Sequence, residues 1–139
     1  MRSNTIFVGT VIALAVVLVI EIWLFATFMS GVSPLAVLLE MSVVMKMAAV
    51  VVLLLAMTGV IGGLLREAAL AGIVSLLAVA IGLLGAAYGE MNVQAALQAV
   101  GPVDFGVTAP DRAQSISLVA LGLFVAVMSL GLSRARRTA

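Results

Sequence analysis

The chain has 139 residues, 65% of them hydrophobic and 9% charged, with a net charge of +1 and a mean hydropathy of +1.36. No soluble domain has that composition, so the chain reads as an integral membrane protein, and its charge balance gives no basis for nucleic-acid binding. The absence of cysteine excludes disulfides and thiolate chemistry, and the absence of histidine excludes His-ligated haem.

Four apolar runs, at about residues 6–29, 35–61, 68–90 and 114–132, each approach the ~20 residues that a spanning helix needs. The fold class expected is therefore an all-α membrane protein: one four-span domain over 1–139, made of two antiparallel hairpins, 1–63 and 64–139. The first run is too long for a signal-peptide core and contains Glu21, so it reads as a retained helix, with Ser3, Asn4 or Thr5 as its cap. Ser30-Gly-Val-Ser-Pro34 is a tight uncharged turn, and Pro34 is placed to start the second helix. Gly62-Gly63 loosens the end of that helix, and Arg66-Glu67 lies in the short connection that follows. Met41, Met45 and Met57 read as packing filler.

The third run carries small residues at helical spacing. Ala78, Gly82, Ala86 and Glu90 are four apart and share a face, while Gly85 and Gly89 make a small-xxx-small pair on a neighbouring one. In lipid such a stripe lets two helix backbones approach closely. Beyond Glu90 the residues stay helical, but Asn92, Gln94 and Gln98 make a water-facing extension that Gly101-Pro102 stops. Residues 104–112 read as a loop, with Thr108 and Asp111 capping the fourth span. Arg2, Arg66 and the group Arg134, Arg136 and Arg137 fall on one side of a four-span chain, whereas the 91–113 segment has only Arg112. By the positive-inside rule both termini are cytoplasmic and 91–113 is external.

Ionisable residues inside the spans are the candidates for function. Counted from the turn at about 1.5 Å per residue, Glu40 lies about 13 Å deep, Glu21 about 16 Å and Lys46 about 22 Å. Side chains lean toward the helix N-terminus, so Lys46 reaches back toward the two acids. A buried charge is costly unless paired, so one reading is an internal ion pair that fixes hairpin register. The other is a proton-binding carboxylate in a relay.

The segment Ile81-Gly-Leu-Leu-Gly-Ala-Ala-Tyr-Gly-Glu-Met91, with Gln94-Ala-Ala-Leu97 and Gly101 after it, resembles the Gly-Leu-Leu/Phe-Gly-Thr-Val-Trp-Gly-x-Met segment of the MotA/TolQ/ExbB proton-channel family. Ala120-Leu-Gly-Leu-Phe-Val-Ala-Val127, which contains Gly122, is similar to that family's last helix. The likeness covers residues 78–132. It implies a homo-oligomer (a pentamer by family habit) around a single-span ExbD/TolR-like partner, coupling proton flow to force on the cell envelope. The stripe Ala78, Gly82 and Ala86 would then pack against neighbouring subunits or the partner helix, with Gly85, Gly89 and Gly122 as further helix-packing positions. Three polar positions of the family are replaced here, by Ala86, Gln114 and Val119, and Glu90 would be the substitute polar group. Those replacements also fit a non-conducting scaffold of the same fold. A second likeness, Ile20-Glu-Ile-Trp-Leu-Phe-Ala-Thr27, is to the first helix of small multidrug resistance transporters, and implies a proton-coupled transporter using Glu21. No enzyme site and no cofactor is expected.

Overall fold

In lipid every backbone N–H and C=O must find a partner within the protein, so apolar runs of this length become helices. The computed structural model describes residues 2–138, apart from the side chains of Ser3, Arg136, Arg137 and Thr138. It has α1 (Arg2–Phe28), α2 (Pro34–Leu39), α3 (Val43–Leu64), α4 (Ala68–Val100) and α5 (Phe105–Thr138). All but α2 are long and apolar enough to cross a membrane. α1 begins at Arg2, so Asn4 and Thr5 lie within it rather than capping it, and the Ser3 side chain is outside the described residues.

The second span departs from its expected form. Pro34 does open a helix, capped by Ser33, whose hydroxyl oxygen accepts from the Ala36 N–H at 3.2 Å. That helix is only six residues long, and α3 starts afresh behind Ser42, whose hydroxyl accepts from the Met45 N–H at 3.4 Å. Ser42 offers the backbone an alternative partner and so restarts the helix. Glu40 therefore sits in an exposed break instead of 13 Å down a continuous helix.

At the far end of α3, Gly62 and Gly63 stay helical. A Cβ on Gly62 would meet Leu70 at 2.8 Å, and one on Gly63 would meet Leu132 at 2.8 Å, so these glycines admit close neighbours and do not loosen the chain. The reversal is made by Arg66 at φ 63°, with the Glu67 N–H donating to the Gly62 carbonyl at 2.9 Å.

α4 is one 33-residue helix that ends at Gly101 (φ 86°), as its polar extension and the Gly-Pro stop imply. The expected loop 104–112 is instead the start of α5. Thr108 donates to the Phe105 carbonyl inside the helix and is not a cap. Pro110 lies in the second turn of α5, where it leaves the Gly106 carbonyl without its usual i→i−4 N–H partner.

α5 is the central helix: α1, α3 and α4 all pack on it, and α3 also packs on α4. α1 therefore takes α5 as its partner, not the second span that follows it in sequence. Leu24, Met29 and Val37 close over Ala109 and Ala113 at one end. At the other end the Arg134 guanidinium lies 4.7 Å from the Phe7 ring and donates to Asn4 Oδ1. Val52, Val74, Ala78 and Val125 fill the middle, and Met41, Met45 and Leu118 form a third cluster. Met41 and Met45 are thus filler in fact, while Met57 faces outward. The exposed Ile, Val and Leu side chains of α1 and α3 make the lipid-facing surface.

Candidate functional site

The glycine and alanine positions of α4 are consumed within the chain. Ala78, Gly82, Gly85 and Gly89 are buried. A Cβ on Gly82 would lie 2.9 Å from the Leu118 carbonyl, and one on Gly122 would lie 2.5 Å from the Ala78 carbonyl, so α4 and α5 touch backbone to backbone here. Gly85 and Gly89 admit Ala48 and Met45 of α3. Their expected use as a surface between subunits is corrected accordingly. A hairpin partner is covalently tethered beside the stripe and reaches it before a second chain does. Only Ala86 remains half-buried, where it lines a groove of about 460 Å³ with Glu90, Ser115 and Val119. Ala86 and Val119 thus converge with Glu90. Gln114 lies on another face of α5.

Glu21 is the acid that stays at membrane depth. It is five residues from the middle of the Asn4–Phe28 span, about 8 Å along the axis. Its carboxylate accepts a hydrogen bond from the Ser117 hydroxyl of α5 and is half-buried. It stands where two grooves meet. One, of about 490 Å³, runs along Phe25, Met29 and Gly31 to Pro34; the other, of about 250 Å³, passes Leu14, Leu18 and Phe124. The carboxyl is thus held by a hydroxyl and borders both grooves.

The expected Glu–Lys contact does not form. Lys46 is exposed on α3, and among the described residues neither it nor Glu40 has an ion-pair partner. The ion pair that is present joins Glu90 to Arg112 at 3.4 Å. Glu90 also accepts from Gln94 at 2.9 Å, and the Arg112 guanidinium lies 5.0 Å from the Phe105 ring. Glu90 is therefore an anchor between α4 and α5 at the end of the bundle opposite Arg2 and Arg134.

Glu40 instead borders a cavity of about 260 Å³ with Ser42, Asn92, Asp111 and Gln114. Reading the sequence did not assemble this group, because its members come from the α2–α3 break, the α4 extension and the first turns of α5. Ser117 was missed for a related reason: helical periodicity tells which residues share a face, not which helix that face meets. A usable signal was the run Gln114, Ser115 and Ser117, polar residues that an apolar helix keeps only on its inner side. No group of three or more His, Cys, Asp or Glu residues able to hold a metal occurs among the described residues. No family model, curated protein or solved structure matches the chain.

Proposed function

We propose that the protein is a multi-pass subunit of a proton-coupled complex in the bacterial inner membrane, with Glu21 as the group that takes up and releases the proton. The observation that carries this reading is a lone carboxyl at membrane depth, held by Ser117 and open to two grooves. An intramembrane acid without a cationic partner marks a proton or ion path by default. In this account the proton reaches Glu21 along the groove from the 29–33 turn, and Ser117 keeps the carboxyl on the α5 face.

The resemblance of residues 78–132 to the MotA/TolQ/ExbB family supplies the assembly that goes with this chemistry: several copies and a single-span ExbD/TolR-like partner. Because the glycine stripe is spent inside the chain, such contacts would use the outer faces of α1 and α3. Arg2, Arg66 and Arg134 lie at one end of the bundle and favour cytoplasmic termini; Arg136 and Arg137, counted with them in the sequence, have side chains outside the described residues.

The experiment is proton flux into proteoliposomes under an imposed potential. Glu21→Gln is expected to lower flux at least tenfold and Ser117→Ala severalfold, with Glu90→Gln close to wild type. Equal flux in wild type and Glu21→Gln would remove the reading. A second reading, a non-conducting scaffold, is favoured by the apolar groove that Ala86 and Val119 line, and it predicts no flux above empty liposomes.

A further inference from the structure

Glu21 and Lys46 stand at the same turn of the central helix, on two helices that scarcely touch each other. Ser117 donates to the Glu21 carboxylate, and Met45, the residue before Lys46, packs on Leu118, the residue after Ser117. Beside α1 runs the groove of about 250 Å³ that Glu21 shares with Leu18, Leu38 and Phe124. Its floor includes Leu121, which also packs into the Val52 cluster, so the groove lies on the α3 side of α1. On α3, Ala48 is the neighbour of Gly85 in α4. Lys46 is two residues from Ala48 and hence about 160° round the helix from it, on the flank turned away from α4 and toward this groove.

Each charge lacks its counterpart within the chain. Lys46 is exposed and has no ion-pair partner among the described residues, and Glu21 has Ser117 but no cation. A lone ammonium and a lone carboxylate in a membrane are both costly, and pairing them offsets part of that cost. Arg112 is engaged by Glu90, and Arg2, Arg66 and Arg134 lie at the other end of the bundle. Among the described residues, Lys46 is therefore the cation at the depth of Glu21.

We propose that a second copy of this chain supplies the missing partner: the α1–α3 side of the molecule is a two-fold interface in which Lys46 of each copy meets Glu21 of the other. A rotation axis along the membrane normal keeps every residue at its own depth, so two charges meet across it only if they start level, as these do. A two-fold axis also exchanges left and right. It sets the α1 flank of one copy against the α3 flank of the other and forms the pair twice, so the face is complementary to itself. Leu18, Leu38 and Phe124, exposed around Glu21, and Val50 and Leu53, exposed along the Lys46 flank, give the contact its apolar surround. The contact deepens the proton-binding reading, on which it rests only for the proton itself: a Glu21 that has released its proton finds its counter-charge in the neighbouring copy.

The test is sedimentation equilibrium of the full chain in density-matched micelles, with single charge reversals studied alone and mixed. The wild-type chain is expected to be a dimer. Glu21→Lys and Lys46→Glu each set like charges against one another and should weaken dimerisation by about tenfold or more. An equimolar mixture of the two should regain the wild-type affinity to within about threefold, because the mixed dimer carries opposite charges at both contacts. That recovery also shows that both variants fold. Glu67→Gln, at the other end of the bundle, should leave dimerisation unchanged. A monomeric wild type, a closed ring of three or more copies, or no recovery on mixing would overturn the proposal. Reversals that leave dimerisation intact would overturn it too, with Lys46 then reaching lipid phosphates instead. Dimerisation is read without proton flux, so a dimer that conducts nothing keeps this interface and removes the proton reading, whereas a conducting monomer does the opposite.

Discussion

α1 and α5 are both long, strongly apolar helices, with mean hydropathies of 2.7 and 2.3 over their most apolar 18 residues, yet they occupy opposite places in the molecule. None of the apolar window of α1 is buried within the chain, against 39% of that of α5. What separates them is the small polar residues. α5 keeps Gln114, Ser115, Ser117, Ser129 and Ser133 inside, whereas α1 presents a nearly uniform apolar surface interrupted by Glu21. In water the more hydrophobic segment would be the core. In lipid, hydropathy no longer sorts inside from outside, and close packing with hydrogen bonding decides.

That contrast can be broken most forcefully at the α4–α5 contact. Gly122→Leu puts a side chain where even a Cβ lies 2.5 Å from the Ala78 carbonyl, so the helices must separate. A loss of about 3 kcal/mol is expected in mixed-micelle unfolding. Gly9→Leu in α1, where nothing lies within 4 Å of the added Cβ, is the matched control and should change stability by less than about 0.5 kcal/mol. Equal effects at the two sites would mean that α5 is not central.

A smaller effect comes from Ser75, whose hydroxyl donates to the Ala71 carbonyl at 2.7 Å and reaches the Ala126 carbonyl of α5 at 3.3 Å. Ser75→Ala should cost about 0.6 kcal/mol, the usual worth of an interhelical hydrogen bond in a membrane. The half-exposed Glu90–Arg112 pair is expected to contribute about 0.5 kcal/mol at low salt and less at high salt, read as the salt dependence that Glu90→Gln removes. Least of all, Ile12→Ala on the lipid face of α1 should leave the unfolding curve within about 0.5 kcal/mol of wild type.

The same contrast explains how far the sequence could be read. The four spans follow from apolar length, and the end of α4 follows from Gly101-Pro102, because both are local signals. The small-residue stripe Ala78–Gly82–Gly85–Gly89 was legible as a packing surface. Its partner was not, since a stripe of glycine states that something comes close without stating what. The break at Glu40–Ser42 was hidden because hydropathy does not register a hydroxyl cap, although Ser42 stood in the sequence as a second cap after Ser33. The helical start of α5 was hidden because its first turns carry Gly106, Thr108, Pro110 and Asp111, residue types that favour loops over helix interiors. Of the site, Glu21 was visible as an acid in a span. Ser117, ninety-six residues away, became visible only once α1 was seen on α5.

The claim that joins these observations is that Glu21, held on α5 by Ser117, is the carboxyl that binds and releases a proton within the membrane. Infrared difference spectra of the reconstituted protein, recorded between acidic and alkaline pH, report on that group directly. The account predicts a protonated-carboxyl carbonyl band that shifts in Ser117→Ala and disappears in Glu21→Gln. A spectrum that Glu21→Gln leaves unchanged would contradict it.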